Sequence, residues 1–156
     1  MPRGDLAEAI AWWRLGTADG RRVLVDAAVD AVVNGAAGAA VVELAGLFEV
    51  DSASTVDALV ERVIAEEELD DRLGPRTTVL AVQRLCRATL RGETSERELV
   101  RWTHDTVGHT SDDELIDRLA DLDDEFDRAE VTTGEVATVI ARIRATAKAV
   151  LARSER

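Results

Sequence analysis

The chain has 156 residues, of which 46% are hydrophobic and 32% charged, with a net charge of −12 and a sequence pI of about 4.6. That is long enough for one ordinary domain with a real core and too apolar for wholesale disorder. The acidic balance disfavours nucleic acid and anionic membrane as direct partners, no run of ~18 uncharged apolar residues predicts a transmembrane helix, and the lone Cys86 cannot form an internal disulfide or a multi-cysteine metal site.

Helical periodicity is nearly continuous. Residues 5–15 place Leu6, Ile10 and Trp13 on one face with Trp12 beside it, so that one of the two tryptophans is expected to be exposed. A second helix is predicted from Asp19, a plausible N-cap, to Val33, with a stripe of Val25, Ala28, Val29 and Val32. Val23-Leu24-Val25 could form a short strand, but no second strand is available to pair with it. Asn34-Gly35 reads as a stop. Residues 39–48 are almost wholly apolar and predict a short helix buried on most sides.

Four further helix starts share a capping-box spacing: Ser54 with Asp57, Ser95 with Glu98, Ser111 with Glu114, and Thr132 with Glu135. They predict helices over 55–69, 96–107, 112–129 and 133–153. Another, over 77–91, follows Gly74-Pro75 and carries a stripe of Val79, Val82, Leu85, Cys86 and Leu90. The last helix repeats Val136, Val139, Ile140, Ile143, Ala147 and Val150. The expectation is an all-α fold, a single-domain bundle of about seven helices over residues 1–156 with short connections and a candidate seam at 74–75.

Composition adds a source and a setting. There are 25 alanines, and one lysine stands against 18 arginines, a codon bias that points to a GC-rich bacterial genome. The N-terminus, Met1-Pro2-Arg3-Gly4-Asp5, has no basic region followed by an apolar core, so a cytoplasmic location is expected.

The charge is concentrated. Residues 92–130 hold 14 acidic and 4 basic residues, a net −10, whereas residues 131–156 are +3. On a helix, Leu115, Leu119, Leu122 and Phe126 face inward, and Asp113, Asp117, Asp121 and Asp124 form a column with few arginines beside them. Like charges at i, i+4 oppose helix formation by ~0.2–0.5 kcal/mol each. A solvated face is one reading. The other is a binding face for a basic protein, through Asp112, Asp113, Asp117, Asp121, Asp124 and Asp127.

Other chemistries fit less well. Asp121-x-Asp123-x-Glu125-x-Asp127 resembles a calcium loop, but Phe126 stands where glycine is needed and Thr132 where a bidentate glutamate is needed. His104-Asp105 resembles the pair of helical HD phosphohydrolases, yet no histidine precedes it. A zinc site from His104, His109 and Cys86 would need separate helices and a fourth ligand, so both histidines are read as structural and no metal or cofactor is expected. Cys86 reads as a small core residue. Glu66-Glu67-Glu68-Leu69-Asp70 and Glu114-Leu115-Ile116-Asp117 resemble the metal-binding motifs of helical nucleotide pyrophosphohydrolases. That resemblance implies an enzyme alternative using Glu66, Glu67, Asp70, Glu114 and Asp117. A third reading is a helical subunit of a larger assembly with an apolar surface around Trp12 or Trp13.

Residues 90–127 also contain Gly92-Glu93-Thr94-Ser95, a helix bearing Trp102, and an acidic helix ending Asp123-Asp124-Glu125-Phe126-Asp127. This segment resembles the colicin D type of immunity protein. The resemblance implies a small acidic helical protein that binds a basic nuclease toxin and occludes its active site with carboxylates. The leading expectation is therefore a non-enzymatic binding protein.

Overall fold

The helical reading holds in the computed structural model, which describes residues 3–132 and 134–154. Among these residues there is no strand, and Val23-Leu24-Val25 lies within a helix. The elements are α1 (Arg3–Arg14), α2 (Gly20–Val33), α3 (Ala39–Ala45), α4 (Ala53–Glu66), a single-turn α5 (Asp70–Leu73), a 3₁₀ turn (Gly74–Arg76), α6 (Thr77–Leu90), α7 (Glu96–Val107), α8 (Glu114–Val131) and α9 (Val136–Ser154). The expected count of about seven is close: the one-turn α5 accompanies eight longer helices. The chain forms two compact units, one up to Ala81 and one from Val82 onward.

In the first unit α1 packs on α2, α2 on α3, and α3 on α4. Leu6 and Ile10 are buried as expected, but Trp12 is the buried tryptophan and Trp13 is half-buried. The Trp12 indole donates to Asp19 at 2.7 Å and the Trp13 indole to Asp57 at 2.7 Å. Asp19 and Asp57 are thus drawn away from the capping roles expected of them: the Asp19 side chain caps nothing. The stripe of α2 is rotated from the expected one. Val23, Leu24, Ala27, Ala28 and Ala31 are buried, while Val29 is 41% exposed. Alanines at these positions give a small-residue face on which a neighbouring helix can approach closely. Helix α3 is not buried on most sides: Ala40, Val41 and Leu44 face inward, whereas Val42 and the following Phe48 and Val50 are exposed.

In the second unit α7, α8 and α9 pack pairwise. Their core is Leu99, Val100, Ile116, Leu119, Leu122, Phe126, Val139, Ile143, Ala147 and Val150, and Cys86 on α6 is fully buried. The caps differ from the four expected boxes. Ser95 and Glu98 form a complete capping box. Helix α4 is instead capped by Ser52, whose hydroxyl accepts from the Thr55 N–H, which starts the helix two residues earlier. Helix α8 is capped by Asp113, whose carboxylate accepts from the Leu115 and Ile116 N–H groups, and Ser111 in turn accepts from the Asp113 N–H. Thr132 closes α8 and does not open α9, which begins at Val136.

Candidate functional site: the acidic face of α8 and its two histidines

Helix α8 buries Ile116, Leu119, Leu122, Phe126 and Ala129 at spacings of three and four, which turns its aspartates toward α7, α9 and solvent. The expected scarcity of arginines does not survive folding. Arginines and histidines from other elements reach most of the carboxylates. Asp113 pairs with Arg153 of α9 at 3.1 Å. Glu125 lies between Arg118, at 2.9 Å, and Arg142 of α9. Asp127 accepts from Arg97 of α7 and lies 3.7 Å from Arg101. That hydrogen bond holds the Asp127 carboxyl below its usual range, helped by the charges of Arg97 and Arg101. The Arg97 guanidinium also sits 4.6 Å from the centre of the Phe126 ring. On α7, Glu96 pairs with Arg144 of α9 at 2.8 Å.

The six aspartates expected to touch a partner therefore fall into three groups. Asp113 and Asp127 are engaged internally. Asp117 is half-buried, and its Oδ1 has no hydrogen-bond partner among the described residues. Asp112 is exposed in the α7–α8 connection, and Asp121 and Asp124 are accessible on α8 and face His109.

The histidines come together here, which the sequence reading missed. His104 is in the last turn of α7. Gly108, with φ +67°, then turns the chain back, and its N–H bonds the carbonyls of His104 and Thr103. That turn brings His109 over His104, with ring centres 4.8 Å apart and planes at 61°. His104 Nδ1 lies 2.9 Å from Asp123 Oδ2 and His109 Nδ1 lies 3.0 Å from Asp121 Oδ1. His109 Nε2 lies 3.7 Å from Asp124 Oδ2. The hydrogen bond to Asp123 raises the His104 pKa above its ordinary value against the opposing effect of burial, and the Asp124, Asp123 and Asp105 charges add to the rise. Asp123 is buried, the one α8 aspartate whose partner is fixed by packing. A signal for it existed: it lies one residue from Leu122 and three from Phe126, beside the apolar stripe.

The residues of the hydrolase alternative lie in different settings. In the first unit, Glu66 accepts from the Ala40 N–H at 2.8 Å and so satisfies the start of α3. The carboxylates of Glu66 and Glu67 crowd Gly38, where a Cβ would come within 3.2 and 2.8 Å of them. Asp70 is exposed at the start of α5. Glu114 and Asp117 belong to the second unit, in the first turn of α8. Trp12 is buried and Trp13 half-buried, and among the described residues of the first unit the exposed large hydrophobics are Val29, Val33, Val42, Phe48 and Val50. No helix among the described residues is long and apolar enough to cross a membrane.

No protein-family model, curated protein or solved structure matches this chain.

Proposed function

We propose that this is a non-enzymatic, acidic, helical binding protein that engages a basic protein partner through the exposed carboxylates of α8 and the α7–α8 connection, in the manner of an immunity or inhibitor protein. The observation that carries the reading is a set of accessible carboxylates beside the turn after α7. Asp112 is exposed there, and Asp121 and Asp124 stay accessible with the His109 ring beside them. A partner's arginines or lysines would relieve the repulsion among them and be steered to them. The row stands on a helix whose inner face is buried in the core of the second unit.

The test is capture of a basic nuclease toxin, taken from a neighbouring gene where one is encoded, measured as a function of salt. Replacing Asp112, Asp121 and Asp124 together by asparagine is expected to weaken capture by about tenfold at low salt and to flatten its salt dependence. Equal capture by the triple variant would refute the electrostatic reading. The hydrolase alternative needs Glu66 released from the Ala40 N–H, a contact that holds the start of α3.

A further inference from the structure

We propose that His104, His109 and Asp124 form a binding site for one zinc-type divalent cation, with Asp123 and Asp121 as the carboxylates behind the two imidazoles. One potential ligand atom from each of the three residues lies within 4.8 Å of the others. A tetrahedral centre with bonds of about 2.0–2.1 Å places its ligand atoms about 3.3 Å apart. His109 Nε2 and Asp124 Oδ2, at 3.7 Å, are nearly there already. His109 and Asp124 are 42% and 54% exposed, so both side chains can close around an ion that enters from solvent.

Two features separate this from an ordinary acidic surface. The first is the repeated outer carboxylate. Each imidazole turns Nδ1 onto an aspartate, His104 onto Asp123 and His109 onto Asp121. With Nδ1–H donated to its aspartate, each neutral ring offers its Nε2 lone pair to a metal, the carboxylate–histidine–metal pattern. The second is Asp123 itself. Its side chain is only 7% exposed, Oδ2 is held on His104, and Oδ1 has no hydrogen-bond partner among the described residues. A buried carboxylate with an unspent oxygen is stabilised by positive charge beside it. A cation bound through His104 supplies one and commits the ring permanently as donor. Two imidazoles and one carboxylate select a zinc-like ion over calcium or magnesium, which favour all-oxygen sites. Three protein ligands leave a fourth position open. The site rests on the histidines and stands independently of the partner reading, although the two share Asp121 and Asp124.

The experiment uses the full chain, stripped with chelator and titrated with zinc chloride by calorimetry, with cobalt(II) absorption as a second readout. One zinc per chain, a raised melting temperature with zinc but not with magnesium, and a tetrahedral cobalt spectrum are expected. His109→Ala and Asp124→Asn, both at accessible positions, should each weaken zinc binding at least about tenfold, and Asp123→Asn should do so by about 10–100-fold. Asp26→Asn, an exposed carboxylate of the first unit, should leave it unchanged. Circular dichroism checks that each variant is folded. Absence of stoichiometric uptake, or uptake by the His109→Ala/Asp124→Asn double variant equal to the parent, would overturn the assignment.

Discussion

Replacing Ser95 by alanine tests the local chemistry that starts α7. The Ser95 hydroxyl accepts from the Glu98 N–H at 3.1 Å and donates to Glu98 Oε2 at 2.9 Å, while the Ser95 N–H donates to the same oxygen at 2.8 Å. Thr94 adds a fourth hydrogen bond at 2.9 Å. Alanine removes the acceptor for an otherwise orphan N–H and one of the three donors on Glu98. An N-cap serine replaced by alanine costs about 1 kcal/mol, which for a chain of this size lowers the melting temperature by about 2–4 °C. The loss should depend on pH. The Ser95 backbone bond, then the Ser95 and Thr94 hydroxyls, hold the Glu98 carboxyl below its ordinary value. A carboxyl lowered in the folded state contributes stability that is fully present above its unfolded pKa, about 4.3, and is lost as pH falls through the folded pKa. Thermal melts of parent and Ser95→Ala at pH 7 and at pH 3 should therefore differ more at neutral pH than in acid. Equal destabilisation at both pH values would refute the charge-assisted box and leave a neutral cap only.

Two further outcomes follow from backbone and core. Gly108→Ala should lower stability by about 1–3 kcal/mol in chemical denaturation, because φ +67° with ψ −152° is a backbone conformation open essentially to glycine; the cost lies in the residue's own backbone and not in a clash with neighbours, the nearest being the His104 carbonyl oxygen at 3.8 Å from an added Cβ. Ile143→Ala, at a fully buried position on α9, should cost about 2–5 kcal/mol, whereas Val131→Ala, at a residue 89% exposed, should change stability by less than about 0.5 kcal/mol.

Helix existence was legible because apolar residues recur every three or four positions over most of the chain. The boundaries were less so. A Ser-x-x-acid spacing is necessary for a capping box but not sufficient, since the same side chains have competing partners. Ser95–Glu98 formed its box; Asp57 went to the Trp13 indole, and Asp113 displaced Ser111 as the cap of α8. The α2 stripe is rotated from the valine pattern because burial follows Leu24 and a run of alanines, whose small side chains let a neighbouring helix approach closely. The histidine pairing is a different case: the sequence names His104 and His109 together as zinc candidates and sets them aside. They are five residues apart, a spacing with no fixed meaning on a helix, and the positive-φ Gly108 makes them neighbours.

The charge shows where reading a segment and reading a surface diverge. Residues 92–130 sum to −10, yet the pairs that offset them span long separations: Glu125 to Arg142, Asp127 to Arg97, Asp113 to Arg153 and Glu96 to Arg144. The +3 of residues 131–156 is thus largely an internal counter-charge, delivered by α9 along its contacts with α7 and α8. Exposed pairs of this kind contribute only about 0–1 kcal/mol each. Their larger consequence is to decide which carboxylates remain. Arginines engage Asp113, Glu125 and Asp127, whereas Asp121 and Asp124 have His109 beside them and Asp112 is exposed in the α7–α8 connection. The proposed binding surface is therefore smaller than the acidic run in the sequence, and it lies beside the turn after α7 where both histidines stand.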